Sequence, residues 1–249
     1  MWPSISFVCT TYNRAPNFLH LVEETIESFI RNRNNYPGKC EMVLLNDTPR
    51  QHLYCRVEGL TIINDSTRYN TLGEKRNAAI TYANGEVILP QDDDDVSLPH
   101  RARLSIELLG DAEYFNPRSY WFLCSGELRH EQCTGYAHNC SAFRKSAWRK
   151  AGTYPSVSTE DACMDGLLRT HCKVVDGPLT AEQSFFIYRW GVSPHHLSGH
   201  PDPDLHYLEM GKILVTQGTY ELAPSWREDY LAKIKEELNR CQQQTHPLK

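Results

Sequence analysis

The strongest constraint on the fold is an alternation in the first part of the chain. Short uninterrupted apolar runs, each ending in polar residues, are interleaved with segments of helical periodicity. Ile5 to Thr10 is β-branched and aromatic enough for a buried strand. After it, Leu19, Val22, Ile26, Phe29 and Ile30 share one helical face, with Pro16 near the first turn and Asn34-Asn35-Tyr36-Pro37-Gly38 as the stop. Met42 to Leu45 and Leu60 to Ile63 read as further buried strands, Leu72 to Ala83 as a helix and Val87 to Leu89 as the next strand. Continuous apolar strands separated by helices predict an α/β fold with a mostly parallel sheet covered on both faces. Ligands bind such sheets at the carboxyl ends of the strands. Here those ends are Thr10–Arg14, Asn46–Thr48, Asn64–Ser66 and Gln91–Asp95.

The remainder is less regular. Ser97-Leu98-Pro99 reads as the cap and first turn of a helix to Leu109. Tyr120–Cys124 and His138–Phe143 are predicted strands, and Ser146–Ala151 a short helix. Ser158-Thr159-Glu160-Asp161 opens a helix with Met164, Leu167 and Leu168 on its apolar face. Val174-Val175 and Phe185–Tyr188 are short strands, the Pro-, His- and Asp-rich stretch from Val192 to His206 is a loop, and Tyr230, Ile234, Leu238 and Cys241 mark an amphipathic C-terminal helix. No interdomain linker is visible. The organisation predicted is one domain over 1–215, with a ligand-binding half at 1–95 and a second half at 96–215, followed by a helical extension at 216–249.

Among the 249 residues, 40% are hydrophobic and 23% charged, which excludes wholesale disorder. A formal net charge of −5 argues against coating nucleic acid by bulk electrostatics. Nine cysteines without a CxxC spacing disfavour a zinc ribbon or thioredoxin-type site and suit a reducing cytoplasm. The amino terminus lacks a secretory pattern, and no apolar run approaches the roughly 18 residues of a membrane span. The expectation is a cytoplasmic protein with no integral membrane segment.

The densest chemistry is Gln91-Asp92-Asp93-Asp94-Asp95, directly after a buried strand. Two carboxylates about 4 Å apart repel by on the order of 4 kcal/mol at an effective dielectric of 20. Such a run either invites a hard divalent cation, Mg²⁺, Mn²⁺ or Ca²⁺, or forms a solvated acidic loop favouring the following helix's dipole. Thr10-Thr11-Tyr12-Asn13-Arg14 is not a GxGxxG turn, and no GxxxxGK[ST] occurs, so dinucleotide-dehydrogenase and P-loop readings are disfavoured. Glu160-Asp161 stands at a helix start, where acids also simply favour the dipole.

Taken in order, TTYNR, LLNDT, GEKRNAAI…ANGEVI, QDDDDVSLP and FRKSAWRKAGTYP…STEDACMDGLL resemble a family 2 glycosyltransferase of GT-A fold over Ser4 to Ser198. The resemblance implies a Rossmann-like, mostly parallel central sheet flanked by helices. It also implies a metal-dependent, inverting, hexosyltransferase-type enzyme using a nucleotide-diphosphate sugar, most often a UDP-sugar, with Mn²⁺ or Mg²⁺. By that likeness Thr10, Tyr12, Asn13 and Arg14 surround the base and ribose, and Asp47 reads the base edge, although Asn46 stands where the family often has another Asp. Arg76 and Asn77 approach the base or diphosphate. Asp92 and Asp94 match the DxD motif: Asp92 approaches ribose or metal and Asp94 ligates the metal, with Asp95 next and the extra Asp93 leaving the register open by one. Asp161 is implied as general base beside Glu160. In the late loop His196, or else His195, completes the metal shell, while Arg189 either meets phosphate or pairs with an acid.

Other classes are distinguishable. A sugar-phosphate nucleotidyltransferase would need a Gly-rich start that residues 8–20 lack. A metal-dependent phosphohydrolase or nuclease could use the same aspartates and histidines without an activated sugar. A non-catalytic nucleotide-sugar-binding module would bind without turnover. The acceptor, whether glycan, lipid carrier, protein or modified nucleic-acid base, is not specified; between Arg118 and Lys150 six Lys/Arg face two acids, which would suit an anionic one.

Overall fold

The structure is a computed structural model that describes residues 1–133, 138–192, 202–213 and 215–245. In chain order its elements are β1 (Ile5–Thr11), α1 (Leu19–Asn35), β2 (Cys40–Asn46), β3 (Gln51–Tyr54), β4 (Leu60–Asn64), α2 (Leu72–Tyr82), β5 (Val87–Asp92), β6 (Val96–Ser97) and α3 (Arg101–Leu109). There follow β7 (Tyr114–Asn116), β8 (Ser119–Cys124), β9 (Glu127–Gln132), β10 (Ala142–Arg144), α4 (Lys145–Ala151), α5 (Glu160–His171), β11 (Val174–Asp176), β12 (Phe186–Trp190), α6 (Pro203–Met210), β13 (Gly218–Glu221) and α7 (Tyr230–Thr245).

Among the described residues the central sheet has seven strands in the order β11-β7-β10-β5-β1-β2-β4. Its β5-β1-β2-β4 portion is parallel, while β10 runs antiparallel to both its neighbours. These inner strands have apolar residues on both faces because helices cover both. One face packs Phe7, Met42, Leu44 and Leu89 against Val22, Ile26 and Phe29 of α1. The other packs Val8, Val43, Leu45 and Ile88 against Ala79 and Ile80 of α2 and Trp148 and Met164 from α4 and α5. Register brings Thr10 beside Asp92 and Thr11 beside Asn46, so the polar strand ends share one rim. A second sheet, β6-β12-β8-β9, adjoins that rim through β6, and β13 pairs with β3. No helix among the described residues is long and apolar enough to cross a membrane.

Four local expectations are corrected. Ser97 is not a helix cap but a β6 residue: its hydroxyl donates to Gln91 and accepts from Arg101 Nη1, and α3 begins only at Arg101. His138–Phe143 is not one strand. Arg101 Nη2 draws in the Asn139 carbonyl at 2.7 Å, a 3-10 turn forms over His138–Cys140, and β10 starts at Ala142. The stretch read as a loop to His206 contains α6, capped by Asp202 accepting from the Leu205 amide and opened by Pro203. The extension from 216 is not purely helical, since β13 precedes α7.

Candidate functional site

The acidic run leaves β5 as a tight turn whose backbone is held from behind. Thr25 of α1 donates to the Asp95 carbonyl at 3.0 Å, Gln91 Nε2 to the same oxygen at 3.1 Å, and Arg189 Nε to the Asp94 carbonyl. With the backbone pinned, the four side chains find different surroundings, although Asp93 and Asp94 share Arg14. Asp93 turns towards Arg14, which grips it with two bonds: Nε to Oδ2 at 2.7 Å and Nη2 to Oδ1 at 2.6 Å, joined by the Thr11 hydroxyl. Arg14 Nη2 also reaches Asp94 Oδ2 at 3.2 Å. Asp95 is fully buried, with Oδ1 accepting from the Arg189 amide at 2.8 Å and Oδ2 without a partner, and burial pushes its carboxyl well above the usual range. Asp92 remains partly exposed at the rim. It accepts from Arg76 Nη2 at 3.1 Å and from Asn139 Nδ2. Desolvation raises its pKa to about 6 against the opposing pull of Arg76, with Asp94, Asp93 and Asp161 adding to the rise.

Arg76 joins this run to the second acidic motif. Its Nε lies 3.3 Å from Glu160 Oε1, and its Nη1 donates to Asn139 at 2.9 Å. The approach depends on Gly73 in the first turn of α2: a Cβ there would fall 2.1 Å from the Pro155 carbonyl oxygen, so only glycine lets the segment before α5 lie this close. Glu160 is buried, and burial lifts its pKa to about 7 although Arg76 works in the other direction. Asp161 is half-buried in the first turn of α5, with Oδ1 accepting from the Ala162 amide at 2.7 Å. Behind Arg76 stand Tyr154 and His138, hydrogen-bonded to each other. Burial together with the nearby guanidinium lowers His138 to about 3, so its ring is neutral.

At the β1 and β2 ends, Asn13 adopts a left-handed backbone (φ 48°), which asparagine tolerates better than most residues. It ties the rim together by donating its amide to Thr48 and accepting from the Thr216 amide. Asp47 is fully buried: Oδ1 receives Lys75 Nζ at 2.5 Å and Oδ2 the Tyr69 amide at 3.0 Å. Lys75 also donates to the Thr11 carbonyl, so one ammonium bridges the two strand ends. Tyr12 is half-buried beside Arg68. Thr10 lines a small cavity beneath Asp92 with Arg76 and Tyr154.

Thr10, Tyr12, Asn13, Arg14, Asp47, Arg76, Asp92, Asp93, Asp94, Glu160 and Asp161 thus gather around one rim. Others stand apart. Asn77 faces the α4 side, bonding the backbone of Tyr154 and the Trp148 indole. Arg189 lies behind the acidic turn with Glu24 and Tyr230. Asp95 points into the protein. His195 and His196 lie outside the described residues. Lys75, Asn139, Tyr154, His138 and Arg68 were missed. Lys75 sat in plain view beside Arg76, but Asn139 carries no signal, since only tertiary contact brings it to Asp92.

The family description Glycosyl transferase family 2 matches residues 6–150. No curated protein sequence matches the chain. Among solved structures, S. aureus TarS 1-349 in complex with UDP-GlcNAc aligns with TM-score 0.58 at 15% identity, covering 83% of this chain and 64% of that one. A second structure of S. aureus TarS 1-349 aligns with TM-score 0.56 at 13% identity over 75% and 60%. The mannosyltransferase PcManGT from Pyrobaculum calidifontis, in complex with GDP-Man and Mn²⁺, aligns with TM-score 0.52 at 18% identity over 76% and 57%. The chain therefore spans 57% to 64% of the length of these three structures. At such identities the likeness is one of fold, and the fold is GT-A.

Proposed function

The chain belongs to glycosyl transferase family 2, and from that premise we propose that it transfers a sugar, with inversion, from a nucleotide-diphosphate sugar to an acceptor hydroxyl. A UDP-sugar is the donor in this reading, as one neighbour's complex with UDP-GlcNAc suggests; another neighbour holds GDP-Man. The observation that carries the proposal is the Arg76 bridge. One guanidinium spans Asp92 at 3.1 Å and Glu160 at 3.3 Å, holding the donor-side carboxylate and the Glu160–Asp161 pair at a single rim.

A divalent cation fits this rim in a limited way. No three metal-ligating side chains converge among the described residues. Mg²⁺-type sites, however, commonly use one or two carboxylates and take their other ligands from substrate phosphates and water. Asp92 and Asp94 are those two in this reading, with Asp92 partly exposed at the rim. Asp93 is gripped through both oxygens by Arg14, and Asp95 is fully buried against the Arg189 amide. A cation bound there would neutralise the pyrophosphate as it leaves.

The protein's own residues supply the rest. Arg14 and Arg76 fix the carboxylates and add positive charge where the diphosphate sits. Glu160 holds Arg76 in place, and Asp161, at the open side of the same helical turn, takes the acceptor proton as the hydroxyl attacks the anomeric carbon. The test is turnover with a panel of UDP- and GDP-sugars and Mn²⁺ or Mg²⁺, with nucleotide release coupled to acceptor. Release of free phosphate, or cleavage of a phosphodiester without any sugar donor, would overturn the reading.

A further inference from the structure

The end of the rim at Tyr12 and Arg68 is packed against this chain's own α6. The Arg68 guanidinium carbon lies over two rings, 3.4 Å from the Tyr12 centroid and 4.1 Å from that of Tyr207. Hydrogen bonds close the arrangement: Arg68 Nη2 donates to the Tyr207 carbonyl at 3.2 Å and the Tyr207 hydroxyl to the Tyr69 carbonyl at 3.2 Å. The Tyr12 hydroxyl approaches the Met210 carbonyl at 3.5 Å. Arg68 Nη1 is buried with no hydrogen-bond partner, 4.0 Å from Asp47 Oδ1. On α6 Met210 is buried, while Leu205 and Leu208 remain 46% and 56% exposed.

A flat cationic group packed over two tyrosine rings, with the Asp47 carboxylate 4.0 Å away, offers the stacking chemistry that a nucleobase uses. We propose that Tyr207 occupies the face of Arg68 on which the base of a nucleoside diphosphate stacks, making Tyr207 a determinant of donor affinity that the base must displace. The inference rests on the nucleotide-sugar reading above. Its consequence follows from population arithmetic: apparent affinity is reduced by the fraction of molecules in which Tyr207 has withdrawn. Tyr207 and the base compete for one face, so removing the tyrosine tightens nucleotide binding. A ring that instead closed over the bound base would have the opposite sign.

The full chain is titrated calorimetrically with UDP and with GDP, in Mn²⁺, as wild type, Tyr207→Ala and Leu208→Ala. Tyr207→Ala is expected to tighten the dissociation constant by about 2- to 30-fold, the range set by an arginine–aromatic stack, while Leu208→Ala matches wild type. An unchanged or weakened constant in Tyr207→Ala overturns the inference and leaves the donor reading standing. No binding of either nucleotide by any form overturns both. A second measurement needs no variant: UDP should accelerate chymotryptic cleavage of the wild-type chain at Tyr207, and protection there would contradict the displacement.

Discussion

The two acidic motifs divide their labour in the same way but not to the same degree. In the run after β5, Asp93 is set back on an arginine while Asp92 stays at the rim; at the start of α5, Glu160 is set back and Asp161 stays half-open. The difference lies in the arginine. Arg14 gives Asp93 a two-pronged grip, whereas Arg76 shares itself among Asp92, Asn139 and Glu160. Glu160 is buried with only a share of that guanidinium, and burial lifts its pKa to about 7 against the pull of Arg76. A count of acids is not a count of open carboxylates; the basic partners decide which of them stay at the rim.

That division can be broken one residue at a time. The recessed positions should cost stability and the open ones turnover. Asp161→Asn is expected to lower kcat by about 10²–10⁴-fold, the usual worth of general-base assistance, with little change in nucleotide affinity. Steady-state kinetics beside a binding titration separates the two, and near-normal turnover would remove Asp161 from the base role. Asp93→Ala leaves Arg14 buried without its main partner and should cost about 3–5 kcal/mol in urea unfolding. A loss under 1 kcal/mol would show that the bidentate pair does not anchor the turn.

Glu160 sharpens the contrast through pH. A carboxyl whose pKa rises from 4.5 to about 7 on folding holds its proton more tightly in the native state. Stability therefore falls as pH climbs from about 4.5 to 7 and levels off above. Glu160→Gln should flatten that slope and leave the variant about 1–3 kcal/mol more stable relative to wild type at pH 8 than at pH 4. Parallel slopes in the two proteins would contradict the assignment. The smallest effect is expected at Gly73→Ala. Its Cβ must move the Pro155 carbonyl, costing about 1–3 kcal/mol as overpacking, partly offset by about 1 kcal/mol of helix propensity. Turnover should fall with it as Glu160 and Arg76 separate, and a stabilised, fully active variant would show that the close approach is dispensable.

In the amino-terminal half β1, β2 and β5 were legible in the sequence because they are buried on both faces. Phe7, Val8, Met42 to Leu45 and Val87 to Leu89 have no polar alternation to confuse the reading, and their polar ends marked the rim. The second half resisted for physical reasons. β6 has two residues and β7 three, too short for any period to show. β9 carries one buried apolar residue, Leu128, within Glu127–Gln132, because its other face is wet. α6 had a readable start in Asp202 and Pro203, obscured by the Pro- and His-rich surroundings. The four aspartates announced a site, but which of them faces outward depends on Arg14, Thr25 and Arg189, which are 79, 70 and 94 positions from their partners in the run.

Asp92 and Asp94, and not the whole run, are proposed to hold a divalent cation together with a pyrophosphate. Mn²⁺ binding followed by electron paramagnetic resonance, with and without UDP, tests it directly in wild type, Asp92→Asn, Asp94→Asn and Asp95→Asn. UDP is expected to strengthen Mn²⁺ affinity in wild type and Asp95→Asn but not in Asp92→Asn or Asp94→Asn. Equal UDP-linked Mn²⁺ binding in all four proteins would contradict it.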